Sequence, residues 1–187
     1  MTQHHLQGRR EDEVLWFRRR GFLQAAAGWT SMGGFAAAWA QRRSNIVELR
    51  GDAQVNGTRL LPQSFIQTGD AIETGPDSHL VFVIGNSAFQ VRQNSRLVVE
   101  RGASLNAVGV LRLLTGAVAS VWGKGGSRQI VTPTLTAGIR GTGVYTEVFP
   151  GQSFRSYLCN CYGVVEVGAG PDPALSRADY HQSVWAG

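Results

Sequence analysis

The chain has 187 residues, with 18 Lys or Arg against 13 Asp or Glu and a formal charge of +5. The basic residues are scattered and almost all Arg, with no stripe or known motif, which argues against a nucleic-acid partner. Ordinary apolar content excludes a disordered chain, and 24 glycines favour a turn-rich β protein over a helical one.

Residues 1–40 stand apart from the rest. A polar segment ends at Arg18-Arg19-Arg20, an apolar run follows from Ala25 to Ala38, and Ala38-Trp39-Ala40 forms an Ala-x-Ala peptidase site. Arg19-Arg20 followed by Phe22-Leu23 resembles the twin-arginine consensus. That resemblance implies export of an already folded chain to the periplasm, cleavage after Ala40, and no stable membrane insertion afterwards. The alternative is an uncleaved anchor, since Phe22 to Ala40 approaches the ~20 residues of a membrane helix. Gly28, Gly33, Gly34 and the Thr30-Ser31 pair weaken that alternative.

After Gln41 the pattern is one of short apolar runs divided by Gly, Asn, Pro and Asp. Ile46 to Leu49 is the first run, and Asn56-Gly57 is a tight turn because both residues tolerate positive φ. Gly69-Asp70 and Thr74-Gly75-Pro76-Asp77 punctuate the next stretch. Leu80 to Ile84 is continuously apolar and reads as a strand buried on both faces. Gly85-Asn86 turns it into Ser87 to Val91. Arg96 to Glu100 places Leu97 and Val99 on one side. Val108 to Leu114 and Ala117 to Trp122 read as a hairpin about Thr115-Gly116. After the turn Lys124-Gly125-Gly126-Ser127 come Arg128 to Thr132, Val144 to Phe149, Ser153 to Cys159 and Val164 to Val167. Gly168 to Ala174 reads as a loop, and Arg177 to Trp185 as a strand or a docked segment. About ten short strands predict an all-β single domain, a sandwich or a β-roll, over residues 41–168, with 169–187 as a C-terminal loop and tail.

Three segments together resemble a known family. They are Val47 to Ala53 with Val55-Asn56-Gly57, Gly69 to Gly75 with the strand behind it, and Val131-Thr132-Pro133 leading into Gly138-Ile139-Arg140-Gly141-Thr142. The chain from residue 46 to 167 is similar to FecR-type periplasmic domains, and the last segment is the most specific part. The resemblance implies an all-β signalling or interaction module that docks an envelope protein. Regulators of that family carry a cytoplasmic anti-sigma region and a membrane helix. Residues 1–16 are too short for such a region, so a stand-alone FecR-like domain without catalytic activity is expected.

Two motifs offer chemistry. In the first, Gly138 and Gly141 let the backbone bend and leave the Arg140 guanidinium free to pair, with Thr142 following. Arg140 is then either a recognition residue for a carboxylate or partner backbone, or a structural residue bonded across a β-corner. The second is Cys159-Asn160-Cys161, the only two cysteines. Residues i and i+2 of a strand share a face, so both sulfurs point one way with Tyr157, and that face is expected to be the inner one. Three readings stay open. One is a metal site with His181 as third ligand, or His79 behind it, suited to zinc or copper. Another is a strained disulfide, and the last is two small buried apolar side chains. Signatures of catalytic triads, zinc hydrolases and phosphate loops do not occur. Glu147 and Glu166 read as exposed strand charges, and Trp122 and Trp185 as packing. The preferred expectation is partner docking through the Gly138–Thr142 corner, with metal or redox chemistry at Cys159, Cys161 and His181 as the alternative.

Overall fold

The computed structural model describes residues 44–104, 106–168 and 174–187. The export segment, with Arg19, Arg20, Phe22, Leu23, Ala38 and Ala40, lies outside the described residues. Those described are all β, in thirteen strands: β1 (Ile46–Arg50), β2 (Ala53–Val55), β3 (Thr58–Arg59), β4 (Ala71–Thr74), β5 (His79–Ile84), β6 (Ser87–Val91), β7 (Arg96–Arg101), β8 (Val108–Trp122), β9 (Arg128–Val131), β10 (Thr136–Phe149), β11 (Arg155–Gly168), β12 (Ala174–Ala178) and β13 (Gln182–Ala186). A single 3₁₀ turn, Pro150–Gln152, joins β10 to β11.

Three strands are far longer than the sequence pattern predicts, and they build the architecture. β8, β10 and β11 run for 15, 14 and 14 residues. Each changes neighbours part-way along. The C-terminal half of β8 pairs with β6 and β10, and its N-terminal half with β7 and, in parallel, β9. The first part of β11 pairs with β13 and its second part with β12. All thirteen strands belong to one continuous sheet, folded into two layers through the long strands. One runs β1-β5-β6-β8-β10-β11-β13 and the other β3-β2-β4-β7-β8-β9-β10-β11-β12. The change-over points carry Gly116, Gly141 and Gly163, with φ of +77°, +66° and +91°.

Gly116 shows why one strand replaces the expected hairpin. The residue adopts a left-handed backbone, and a Cβ there would lie 2.5 Å from the Ser95 Cα. Ser95 Oγ accepts the Ala117 N–H at 2.9 Å. The serine thus holds the bend that the glycine permits, and the chain continues in the same direction instead of reversing. In the same way the predicted runs Ser153–Cys159 and Val164–Val167 fall in one strand, β11, which starts at Arg155, and the tail forms two strands. Asn56-Gly57 does form the tight turn between β2 and β3, with φ of +52° and +77°.

The layers close on one core. Leu80, Phe82, Phe89, Val118, Val144 and Leu158 from the first meet Ile72, Leu97, Leu111, Leu113, Ile130 and Val165 from the second. Phe89 stacks on Phe82 and meets the Trp122 ring edge-on, at 5.1 and 5.2 Å. β5 is buried on both faces, as its unbroken apolar run predicts.

Candidate metal centre

β11 sets the site. Its alternation puts Ser156, Leu158 and Asn160 toward the core, all fully buried, and turns Cys159 the opposite way. The expected inner placement is met in burial, since Cys159 is 4% exposed, but the side chain lies outside the main apolar cluster. The register follows Leu158, because it buries more apolar surface than a thiol does. On that side of the sheet Cys159 is opposite Tyr145 of β10 and Ser183 of β13.

The pairing of β11 with β13 explains how a distant histidine arrives. Asn160 is opposite Gln182, so His181, the residue before β13, comes up beside Cys161. β10 pairs Val144 with Asn160 and Gly143 with Tyr162, which leaves Cys161 as an extra, bulged residue. A bulge re-aims the side chain it carries. The sulfurs of Cys159 and Cys161 and a ring nitrogen of His181 all lie within 4.8 Å of one another. Cys159 Sγ is 3.3 Å from His181 Nδ1. Cys159 is buried, Cys161 half-buried and His181 exposed, so the cluster opens to solvent on the imidazole side. Both thiols are free.

Asn160, between the two cysteines, fixes their backbone. Its side-chain oxygen accepts from Thr142 Oγ1 at 3.1 Å, and its amide donates to the Gly163 carbonyl and to Ser176 Oγ, each at 3.1 Å. Three strands are thereby tied together under the site. Tyr157 packs against Trp185 at 4.8 Å, and Trp185 stacks on Phe149 at 5.7 Å, giving the site an aromatic flank.

The electrostatics divide the two thiols. The neighbouring Cys159 side chain holds the Cys161 thiol well below the usual range, with burial opposing and His181 helping. Cys159 moves the other way, because of the neighbouring Cys161 and because it is buried. Burial, and then the neighbouring Cys159, push Tyr157 up to about 12. Two sulfurs and an imidazole form a soft donor set. Around zinc, with bonds of about 2.3 Å to sulfur and about 2.0 Å to nitrogen, tetrahedral donors sit roughly 3.5–3.8 Å apart. The cluster needs to contract by about 1 Å at most to reach that spacing.

No known family, curated protein or solved structure matches this chain. The site's own geometry therefore carries the functional reading.

The other residues singled out by sequence lie elsewhere. Gly138 and Arg140 are in the N-terminal part of β10, on the outer face of the second layer. Arg140 is exposed and meets Glu166 at 3.6 Å. Gly141 marks a bulge inside the strand, not a corner between strands. Thr142 is fully buried, with its hydroxyl on Asn160. His79 sits on β5 near Glu48 and Gln90 and takes no part in the cysteine cluster. Trp122 is core, donating to Ser120 Oγ at 2.9 Å. What sequence reading missed was the anchoring role of Asn160. Its signal was an amide placed on the same face as Leu158, where a buried polar group must find partners.

Proposed function

We propose that this chain is a soft-metal-binding β-sandwich protein that acts in the envelope and holds one zinc or copper(I) ion at Cys159, Cys161 and His181. The observation that supports it is the convergence of those three donors within 4.8 Å, with His181 22 positions after Cys159. Three protein donors with an open side leave one coordination position for water or a ligand from a partner. In this reading the protein binds and presents the ion and catalyses no reaction. A twin-arginine leader fits it, because a chain that folds before export carries its metal site already formed.

Elemental analysis of the purified chain tests the reading. One metal ion per chain, absent from Cys159→Ser and reduced in His181→Ala, supports it. Metal-free protein that also fails to take up zinc or copper(I) when reduced contradicts it.

Docking of an envelope protein by a FecR-like module is the second reading. It draws support from the edges of the layers at β12 and β13, where Leu175, Tyr180 and Trp185 are exposed. An added strand from a partner pairs with such an edge. This role and metal binding are compatible, since β13 also positions His181.

A further inference from the structure

We propose that Cys159 and Cys161 form a reversible redox gate on this centre, in which the dithiol binds the metal and an intramolecular disulfide excludes it; the proposal rests on the metal reading above. The two are the only cysteines in the chain, so the pair has no competing thiol partner. Their sulfurs are within 4.8 Å and unbonded. Closing to a bond of about 2.05 Å asks for less than about 3 Å of sulfur movement, roughly what one rotamer change at a cysteine supplies.

The bulge decides whether the backbone tolerates closure. In a regular strand, residues i and i+2 hold their Cα atoms about 6.6 Å apart, at the upper limit of disulfide geometry. Cys161 is the extra residue of the β10–β11 ladder, and a bulged strand bends locally. The bend supplies the approach that an ideal strand lacks. Asn160 works against further adjustment, because its side chain is tied to Thr142, Gly163 and Ser176. The ring must close within a fixed frame, and a disulfide formed under such constraint is readily reduced. A gate of this kind reverses under mild reductant.

The chemistry balances with a low-molecular-weight disulfide, such as glutathione disulfide, as oxidant. Cys161, the more exposed sulfur, attacks the S–S bond of the oxidant and releases one thiolate. Cys159 then attacks Cys161 Sγ in the mixed disulfide, forms the Cys159–Cys161 bond and releases the second thiolate. Two electrons pass to the oxidant, and the two cysteine protons go to the released thiolates. Neither sulfur keeps the thiolate charge a metal requires, so a bound ion is left with His181 alone and departs.

The test uses the full chain and Zn²⁺ alone as the probe. Reduced protein should take up one Zn²⁺. After glutathione disulfide it should lose both free thiols, show the mass of an internal disulfide without adducts, and bind Zn²⁺ more than roughly 100-fold more weakly, since changes outside the ligand set alone cost up to that. Millimolar reduced glutathione should restore binding. Two glutathione adducts, a disulfide that resists glutathione, or an internal disulfide that still holds Zn²⁺ overturns the gate and leaves the metal reading standing. A reduced chain that takes up no Zn²⁺ overturns the gate, and one that also takes up no copper(I) overturns the metal reading with it.

Discussion

Replacing Asn160 by Ala removes a side-chain amide that joins three strands directly beneath the two thiols. The wild-type group takes part in hydrogen bonds with Thr142, the Gly163 carbonyl and Ser176 Oγ, each at 3.1 Å. A buried neutral hydrogen bond contributes about 1 kcal/mol net, so the three together set a loss of roughly 3 kcal/mol. The partners limit any excess. Thr142 Oγ1 keeps the Gly143 carbonyl at 3.3 Å, and Ser176 Oγ keeps Gln182 at 2.8 Å. A domain of this size has about 5–15 kcal/mol of stability, so the variant remains folded. Urea unfolding followed by tryptophan fluorescence should show a lower midpoint at unchanged slope. Zn²⁺ affinity should fall by about tenfold or more, because the cysteines on either side lose their fixed frame. A stability loss under about 1 kcal/mol would refute the anchoring argument. So would an unchanged Zn²⁺ affinity in a variant destabilised by the full amount.

Gly116→Ala forces a side chain into a left-handed backbone, at about 1–2 kcal/mol, and against the Ser95 main chain. The expected total of roughly 3 kcal/mol is read by thermal denaturation, and an unchanged Tm contradicts the bent-strand account. Burial holds His79 below its ordinary value of 6.5, with Glu48 opposing and Arg50 and Arg92 reinforcing. As the pH falls, the unfolded chain therefore binds this proton first, and stability declines from the ordinary histidine value downward. His79→Gln should flatten the fall of the urea midpoint between about pH 7 and about pH 5; a slope equal to wild type sets the idea aside. Arg140→Ala breaks an ion pair whose side chains are 72% and 49% exposed, so stability should change by less than about 1 kcal/mol. Capture of an envelope partner on immobilised protein should weaken; a variant that keeps both stability and capture removes Arg140 from the docking reading.

Local signals were legible where one residue pair decides the geometry. Asn56-Gly57 defines its turn because both positions need positive φ, and Leu80 to Ile84 announces a strand covered on both sides. The cysteine spacing, with His181 as third donor, also pointed to the cluster that forms. Strand continuity was not legible, because a glycine between two apolar runs signals reversal and bending alike. At Gly116 the choice is made by Ser95, a residue 21 positions earlier that supports the bend through Ala117. The placement of Cys159 outside the main apolar cluster was not legible for a related reason. Alternation groups residues by side, and only the pairing of β11 with β10 and β13 says which side meets the core. The bulge at Cys161 is likewise a property of two strands in register, invisible in either alone.

The proposed centre requires three donors to meet at one ion. Metal content of the chain purified in reduced form, measured by mass spectrometry alongside Cys159→Ser, Cys161→Ser and His181→Ala, tests it most directly. One zinc or copper ion per wild-type chain, lost in both cysteine variants and weakened in the histidine variant, is the predicted result. Wild-type protein that holds no metal and takes up neither zinc nor copper(I) when reduced, or variants that retain the ion in full, would contradict the central claim.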